Sequence, residues 1–250
     1  MVDYLKRDGK PGLAYIRSPA QDASLPYVMF CGGYKSDMRG TKAAFLEESC
    51  RARGQGYVRF DYAGHGESGG DVATGTIGEW FADACAIFDA LTEGPVIVVG
   101  SSMGGWIGLK LALARADRAH AFIGIAAAPD FTRWMEEGFT PAQRAQLAEQ
   151  GYAEEPSEYG EPYRFTRAFL DDGRANFIME NGRVPFAGPV RLLHGMQDKT
   201  VEWQVAHRLK NALDSTDCAV CLVEDGDHSL SRPQDLILLD KTLVDLNGRI

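Results

Sequence analysis

The sequence predicts an α/β fold in which a mostly parallel central sheet carries helices on both faces. Apolar, strand-like runs alternate with helical segments through short glycine-rich joints, which is typical of right-handed βαβ crossovers. The alternation stops over about residues 131–187, so we expect a helical cap to be inserted there. Because 250 residues suit one domain of this class, residues 1–250 are expected to form a single domain.

The predicted strands are short runs rich in β-branched and aromatic residues, as buried strands usually are. They are residues 13–17, 27–31, 56–61, 95–99, 121–126, 190–194 and 218–223. Helices are predicted where a capping signal precedes a periodic apolar segment. The clearest are residues 77–93 after the Thr76/Glu79 capping box, 106–115, and a C-terminal helix that begins at Pro233.

The predicted cap is acidic and rich in aromatic residues. Residues 140–150 are predicted to form a helix there, because Thr140-Pro141 is a good start and Gly151 a good stop. We expect most of the cap's aromatic side chains to form its own small core and two or three to line an acyl or aryl pocket. The aromatic residues are Trp134, Phe139, Tyr152, Tyr159, Tyr163, Phe165, Phe169 and Phe177.

Composition excludes several classes of protein. A net charge of −9, with no basic run, argues against nucleic-acid binding, and no apolar run is long enough to span a membrane. The N-terminus has no signal-peptide or transit-peptide character and the five cysteines have no framework spacing, so a cytoplasmic protein is expected. Cys218 and Cys221 are interpreted as buried apolar residues, because residues three apart in a strand face opposite sides.

The segment Gly100-Ser101-Ser102-Met103-Gly104 lies between a predicted strand and a predicted helix. A sharp strand-to-helix turn needs small residues on both sides of a strained corner residue, and it raises that residue above the sheet. Ser102 is therefore the candidate nucleophile. The backbone N–H of Met103, at the helix N-terminus, is a candidate donor to an oxyanion. A second match to the pattern, around Ser68, is followed by a glycine-rich loop and is interpreted as structural.

A serine hydroxyl needs a base, and the base needs an orienting acid. His228 follows the last predicted strand, at the carboxyl edge where such sites form, and is the candidate base. Asp198 follows the preceding strand and is the candidate acid, with Asp130, after the strand before that, as the alternative. Tyr34, in the glycine-containing loop after residues 27–31, is the candidate second oxyanion donor through its backbone N–H.

Four separated motifs together resemble the α/β-hydrolase superfamily over essentially the whole chain. They are G-Y-K-S-D-M-R-G-T-K-A, R-F-D-Y-A-G-H-G-E-S-G-G, G-S-S-M-G-G-W and R-L-L-H-G-M-Q-D, followed by a late D-H-S. Within the superfamily they look like the subgroup of the mitochondrial palmitoyl-protein thioesterase and acyl-glucuronide esterase. The resemblance implies an α/β-hydrolase fold with its cap after the sixth strand, and Ser102, Asp198 and His228 as the triad.

The predicted function is therefore a serine hydrolase that cleaves carboxylic esters or thioesters of a small-molecule or acylated-protein substrate. No metal or organic cofactor is expected, because a serine, a histidine and an aspartate suffice for acyl transfer to water. A non-catalytic ligand-binding protein of the same fold is the alternative, and a peptidase is a weaker one. Acyl-chain length, the leaving group and the oligomeric state stay open at the level of sequence.

Overall fold

A mixed sheet of eight strands forms the centre of the molecule in a computed structural model that describes residues 1–157 and 160–250. Its strands lie in the order β1-β2-β4-β3-β5-β6-β9-β10. The six strands from β4 to β10 run parallel, whereas β2 pairs antiparallel with β4 and β1 antiparallel with β2. The strands are β1 (Asp3–Arg7), β2 (Lys10–Ser18), β3 (Tyr27–Cys31), β4 (Tyr57–Phe60), β5 (Val96–Ser101), β6 (Ala119–Ile125), β9 (Val190–Gly195) and β10 (Cys218–Val223).

Helices cover both faces of the sheet, so the predicted α/β class is confirmed. One face packs against α2 (Ile77–Leu91) and α3 (Met103–Ala114) through large apolar side chains such as Trp80 and Trp106. The other face packs against α1 (Thr41–Ala52) and α8 (Pro233–Asn247) through Leu46 and Leu243. The helices outside the insert are α1 (Thr41–Ala52), α2 (Ile77–Leu91), α3 (Met103–Ala114), α7 (Gln204–Ala212) and α8 (Pro233–Asn247).

The central parallel strands could be predicted from the sequence because both of their faces are buried. All five residues of β3 and all six of β5 are buried, so these strands are continuous apolar runs rather than alternating ones. The observed β3 and β10 coincide with the predicted runs, and α8 begins at the predicted Pro233. The first strand, β1, was not predicted, because it lies at the sheet edge and has little apolar character. Three of its five residues are charged, and a fourth, Tyr4, exposes about half of its surface to solvent.

Between β6 and β9 the chain forms a separate group of elements, which we call the insert (residues 131–187). It contains three helices and a two-stranded antiparallel hairpin: α4 (Phe131–Gly138), α5 (Pro141–Gln150), β7 (Tyr152–Ser157), β8 (Gly160–Thr166) and α6 (Arg167–Ala175). An all-helical cap was expected, so the hairpin is a correction. Only one face of it is buried, as at Ala153 and Phe165, which gives a much weaker apolar signal than a core strand. The division into one domain with a cap stays a prediction.

The two cysteines of β10 face opposite sides of the sheet. Cys218 packs against the core on the α2/α3 face, and Cys221 packs against the core on the α1/α8 face. Both thiols are unpaired and partly rather than fully buried, because β10 is the last strand of the sheet. Since the side chains diverge, the Cys-x-x-Cys pattern cannot act as one bidentate ligand or redox pair.

Candidate active site

Ser102 lies at the turn between β5 and α3 with φ 55° and ψ −121°, a strained conformation for a residue with a side chain. The turn is compact enough that only glycine fits beside it. A side chain on Gly100 would collide with the backbone of Gly104, and one on Gly104 would collide with the carbonyl group of Cys31. The flanking glycines thus let the strand reverse into the helix while Ser102 faces the cavity described below.

Three predicted site residues from separate parts of the sequence meet at this turn. The Ser102 Oγ atom is 3.1 Å from Nε2 of His228, and Nδ1 of His228 is 2.7 Å from Oδ2 of Asp198. These distances are short enough for two consecutive hydrogen bonds. Because the carboxylate only accepts, Nδ1 of His228 carries the proton toward Asp198 and leaves Nε2 able to accept from the serine hydroxyl.

The side chain of Asp198 is fully buried, and both of its carboxylate oxygens have hydrogen-bond donors. Its Oδ1 atom accepts from the backbone N–H groups of Thr200 and Val201 at 2.8 and 2.9 Å, while Oδ2 faces His194 and His228. Burial alone raises the pKa of Asp198, but the hydrogen bonds from the two histidines and from Val201 outweigh it and hold the pKa well below its usual value. These hydrogen bonds therefore favour the ionised form of Asp198.

His194 is a contact that sequence reasoning missed. This buried residue in β9 places Nε2 3.1 Å from Oδ2 of Asp198 and 3.0 Å from the carbonyl oxygen of Val201. Both neighbours are acceptors, so Nε2 must carry the proton and donate to them. The spacing His194-x-x-x-Asp198 across a strand end was visible in the sequence, but nothing there indicated that the two side chains would turn toward each other.

Asp130, the alternative acid, is engaged elsewhere. It follows β6 in a left-handed backbone conformation and its two carboxylate oxygens accept from the backbone N–H groups of Ile178 and Met179, at 2.9 and 2.8 Å. Burial raises the pKa of Asp130, although these two hydrogen bonds act in the opposite direction. Its carboxylate therefore fastens the returning end of the insert, while His228 contacts Asp198.

Two backbone segments that contain the predicted oxyanion donors border Ser102. Met103 is the first residue of α3, so its N–H has no partner within the helix and lies at the positive end of the helix dipole. On the other side a methyl group built on Gly33 would lie 3.4 Å from the Cβ of Ser102, which brings the Gly33-Tyr34 backbone against the serine. Tyr34 and Met103 both line the same cavity as Ser102.

The loop that carries His228 is fastened to α1 by Lys42. The Lys42 ammonium donates to the carbonyl oxygen of Ser229 and lies 3.3 Å from the hydroxyl of Ser231. Burial lowers the pKa of Lys42 to about 8, although Asp227 and Asp235 oppose the shift. Lys42 was not singled out from the sequence, because a lysine in the first turn of a helix carries no signal of its own.

A cavity of about 910 Å³ opens over Ser102 and His228. Its floor is formed by the sheet edge, one wall by α1 and the loops after β9 and β10, and the other wall by the insert. Of the aromatic residues considered for a pocket, Trp134, Tyr163 and Phe165 line it, whereas Phe139 and Phe169 are buried in the core. Phe177 packs against Trp106, and Tyr159 lies outside the described residues.

Ser68, in the second Gly-x-Ser-x-Gly match, has a structural position. Its hydroxyl donates to the carbonyl oxygen of Asp61 and accepts from the backbone N–H of Ala14, so it ties its loop to the sheet. Across residues 1–157 and 160–250, no cluster of three or more histidine, cysteine or acidic side chains is arranged as a metal site. In the same residues no helix is both long and apolar enough to cross a bilayer.

Comparison with known proteins places this geometry in a family. Residues 32–238 match the profile of the alpha/beta hydrolase family. The chain belongs to the alpha/beta hydrolase family. This family is the superfamily that the sequence motifs resembled, so the α/β-hydrolase fold and a hydrolytic enzyme are confirmed.

Similar proteins within the family align over the whole chain. Mouse palmitoyl-protein thioesterase ABHD10, mitochondrial, is 36% identical over 251 residues, which cover 100% of this chain and 83% of the mouse protein. The solved structure of mouse alpha/beta hydrolase domain-containing protein 10 superposes with a TM-score of 0.92 and 36% identity, covering 100% of this chain and 99% of that one. A solved structure from Agrobacterium vitis S4 reaches the same TM-score at 39% identity, covering 99% and 98%.

The expectation of a cytoplasmic location is wrong by this comparison. The relatives from mouse, cattle and human that align with the whole chain all carry the word mitochondrial in their names. The expectation depended on the character of the first residues of the sequence and on cysteines without framework spacing. Such cysteines suit any reducing compartment and do not distinguish one from another.

Proposed function

We propose that this alpha/beta hydrolase cleaves carboxylic esters or thioesters by acyl transfer from Ser102 to water. The observation that carries the proposal is the hydrogen-bonded series from Ser102 Oγ to His228 Nε2 at 3.1 Å and from His228 Nδ1 to Asp198 Oδ2 at 2.7 Å. A nucleophile, a base within reach of it and an acid that orients the base are the groups that such chemistry needs.

In the first half of the reaction Ser102 Oγ attacks the acyl carbonyl carbon and His228 Nε2 takes the hydroxyl proton. The carbonyl π electrons move to oxygen, and the oxyanion accepts from the N–H groups of Met103 and Tyr34. When the tetrahedral species collapses, the bond to the leaving alcohol or thiol breaks and His228 returns the proton to it. Asp198 remains ionised and stabilises the imidazolium throughout.

In the second half a water molecule attacks the acyl group on Ser102 and gives its proton to His228. Collapse releases the carboxylic acid and restores the serine hydroxyl with the same proton. Water is the only co-substrate and neither half consumes a redox equivalent, so the residues at the turn and the two strand ends are sufficient. Hydrolysis of the acyl-enzyme uses the same two oxyanion donors as its formation.

Thioesters are supported as substrates by the names of the relatives, since mouse and human ABHD10 are called palmitoyl-protein thioesterases. The cavity supports an acyl group larger than acetyl, because about 910 Å³ is at the upper end of ordinary ligand pockets and its insert wall carries several aromatic rings. Acylated proteins and small acyl esters are the two substrate classes to compare.

The test is hydrolysis of a matched panel by the wild type and Ser102→Ala. The panel contains p-nitrophenyl esters from acetate to palmitate, an S-palmitoyl peptide, an acyl glucuronide and a peptide amide. Ester or thioester turnover that disappears in Ser102→Ala is expected, with no cleavage of the amide. Amide cleavage would indicate a peptidase, and full activity of Ser102→Ala would overturn the nucleophile.

Fluorophosphonate labelling separates catalysis from ligand binding, because the reagent reacts with an activated serine. Wild type should be labelled and Ser102→Ala should not. Ser68→Ala is the matched control, since it removes the serine of the other Gly-x-Ser-x-Gly match, and it should still be labelled. An unlabelled wild-type protein that is also silent across the substrate panel would favour the non-catalytic alternative.

A further inference from the structure

The hairpin of the insert directs one acidic side chain into the cavity over Ser102. In the β7/β8 register Glu155 pairs with Tyr163, and Glu154 pairs with Arg164. Successive side chains of a strand point to opposite faces, so these two pairs lie on opposite sides of the hairpin. Glu155 and Tyr163 line the cavity, whereas Glu154 forms an ion pair with Arg164 on the outer side.

Glu155 differs from the other carboxylates that line this cavity. Asp37 accepts from the backbone N–H of Arg39, and Asp227 accepts from the backbone N–H groups of Ser229 and Leu230. Glu155 is half-buried and, in the part of the chain that the structure describes, has neither a hydrogen-bond nor an ion-pair partner. Burial raises the pKa of Glu155, with no cation to oppose the shift.

The surroundings of Glu155 are aromatic. Tyr163 pairs with it across the hairpin, Phe131, Trp134 and Phe165 line the same cavity, and the rings of Tyr34 and Tyr163 lie 6.0 Å apart. One of these rings is already approached by a cation, since the ammonium of Lys35 is 4.4 Å from the centroid of Tyr163. Aromatic faces and a carboxylate attract the same partner, an alkylammonium group with weak hydration.

We propose that Glu155 and the aromatic wall around it bind a cationic group of the substrate, so that the enzyme prefers esters or thioesters that carry an alkylammonium. This inference rests on the proposed function, because it assigns the substrate class of the same site. An unpaired half-buried carboxylate is costly in the free protein, and a substrate cation relieves that cost where an alkyl chain does not. An anionic substrate group is disfavoured at the same place.

The test compares substrates that have the same shape and differ in charge. On the leaving-group side these are butyrylcholine and the 3,3-dimethylbutyl ester of butyrate. On the acyl side they are the p-nitrophenyl esters of 4-(trimethylammonio)butanoate and 5,5-dimethylhexanoate. In at least one pair the wild type should show a kcat/KM several-fold higher for the cation. That ratio should fall about tenfold in Glu155→Gln, as expected for loss of one partly buried charge–charge contact.

Glu154→Gln is the matched control, since it makes the same chemical change on the outer face of the same hairpin. Its cation-to-neutral ratio should stay within about twofold of the wild-type ratio. A Glu155→Gln ratio that is unchanged in both pairs overturns the proposal. The same series also measures whether turnover of the neutral esters disappears in Ser102→Ala. That result tests the proposed function separately from the charge preference.

A binding measurement keeps the inference testable without turnover. Phenyltrimethylammonium should bind the wild type in calorimetry and compete with the p-nitrophenyl substrates, with a Kd about tenfold weaker in Glu155→Gln and unchanged in Glu154→Gln. Equal Kd values for wild type and Glu155→Gln would overturn the proposal, even if ester hydrolysis by Ser102 were established. Loss of ester hydrolysis with Glu155-dependent binding intact would contradict only the proposed function.

Discussion

Asp130 and Asp198 follow neighbouring strands of one sheet, and both carboxylates are buried at its carboxyl edge. Asp198 accepts from two backbone N–H groups of its own loop and faces two histidines, one of which reaches Ser102. Asp130 accepts from two backbone N–H groups of residues 178 and 179, at the far end of the insert. One carboxylate contacts the histidine that reaches Ser102, and the other fastens the insert to the end of a strand.

The difference teaches that an aspartate's position just after a strand does not by itself reveal what its carboxylate contacts. The two residues differ in whether a carboxylate oxygen is left over for a histidine once each has accepted hydrogen bonds from backbone N–H groups. Asp198 keeps an oxygen for His228, whereas both oxygens of Asp130 are used by amides from a segment distant in sequence. The same comparison predicts opposite consequences when each residue is replaced by its neutral isostere.

The largest expected effect is on turnover in Asp198→Asn. An amide cannot hold the imidazole in the tautomer that accepts from Ser102, so kcat should fall by about 10⁴-fold while the protein remains folded. Steady-state kinetics on a p-nitrophenyl ester provide the measurement. Asp130→Asn is the control and should keep kcat within about threefold; a loss of activity in Asp130→Asn that equals the loss in Asp198→Asn would break the comparison.

Asp130→Asn should instead lower the free energy of unfolding. The amide retains one acceptor oxygen for two backbone N–H groups, and a buried donor left unsatisfied costs about 1–3 kcal/mol. Asparagine tolerates the left-handed backbone conformation of this position, so the backbone adds little to that cost. Urea denaturation near pH 5 measures the difference in the free energy of unfolding between wild type and Asp130→Asn. An unfolding free energy equal to the wild-type value would mean that Asp130 does not hold the insert.

A smaller effect is expected at His194, which we assign as a positioning residue for Asp198. His194→Phe keeps the ring but removes the donor, and kcat should fall about tenfold with KM unchanged, since a hydrogen bond to a charged group contributes roughly 1.5–3 kcal/mol. His194→Gln has an amide that can donate and should recover part of the loss. If His194→Gln and His194→Phe lose kcat equally, the hydrogen bond is not what matters at this position.

The smallest expected effect is on the pH dependence of stability, to which the two carboxylates should contribute with opposite sign. Hydrogen bonds hold the pKa of Asp198 below its usual value, so its contribution to stability is present above about pH 4 and is lost as the pH falls. Burial raises the pKa of Asp130, so its contribution is present at low pH and is lost as the pH rises through that raised value.

Denaturation of wild type, Asp198→Asn and Asp130→Asn between pH 3.5 and 7 measures both contributions. The gap between the unfolding free energies of wild type and Asp198→Asn should widen as the pH rises, and the corresponding gap for Asp130→Asn should narrow. Gaps that change in the same direction would show that the two carboxylates are not in opposite electrostatic environments.

Most of the sheet could be predicted from the sequence because its strands are buried on both faces. An unbroken run such as Tyr27–Cys31 or Val96–Ser101 needs no tertiary information to be recognised. Several of the elements that escaped prediction have few buried apolar residues. Examples are β1 at the sheet edge, α1 with few buried residues, and the hairpin of the insert, which buries only one face.

For the site, the sequence indicated the candidate groups that bear the chemistry and not the groups around them. Ser102 was recognisable from its small neighbours, and Asp198 and His228 from their places after predicted strands. His194, Lys42 and Glu155 were not recognisable. Their importance lies in contacts with residues distant in the chain, or in which side of a hairpin they occupy, and neither is encoded in local spacing.

The sequence by itself determined the fold class, the strained turn at Ser102 and the order of the candidate residues, because local sterics and the period of apolar residues suffice for these. Only the tertiary structure decided which aspartate reaches His228, which face of the hairpin lines the cavity and which aromatic rings line the cavity with Glu155. Those choices depend on how separate segments pack, and a partner some 30 or more residues away leaves no local trace.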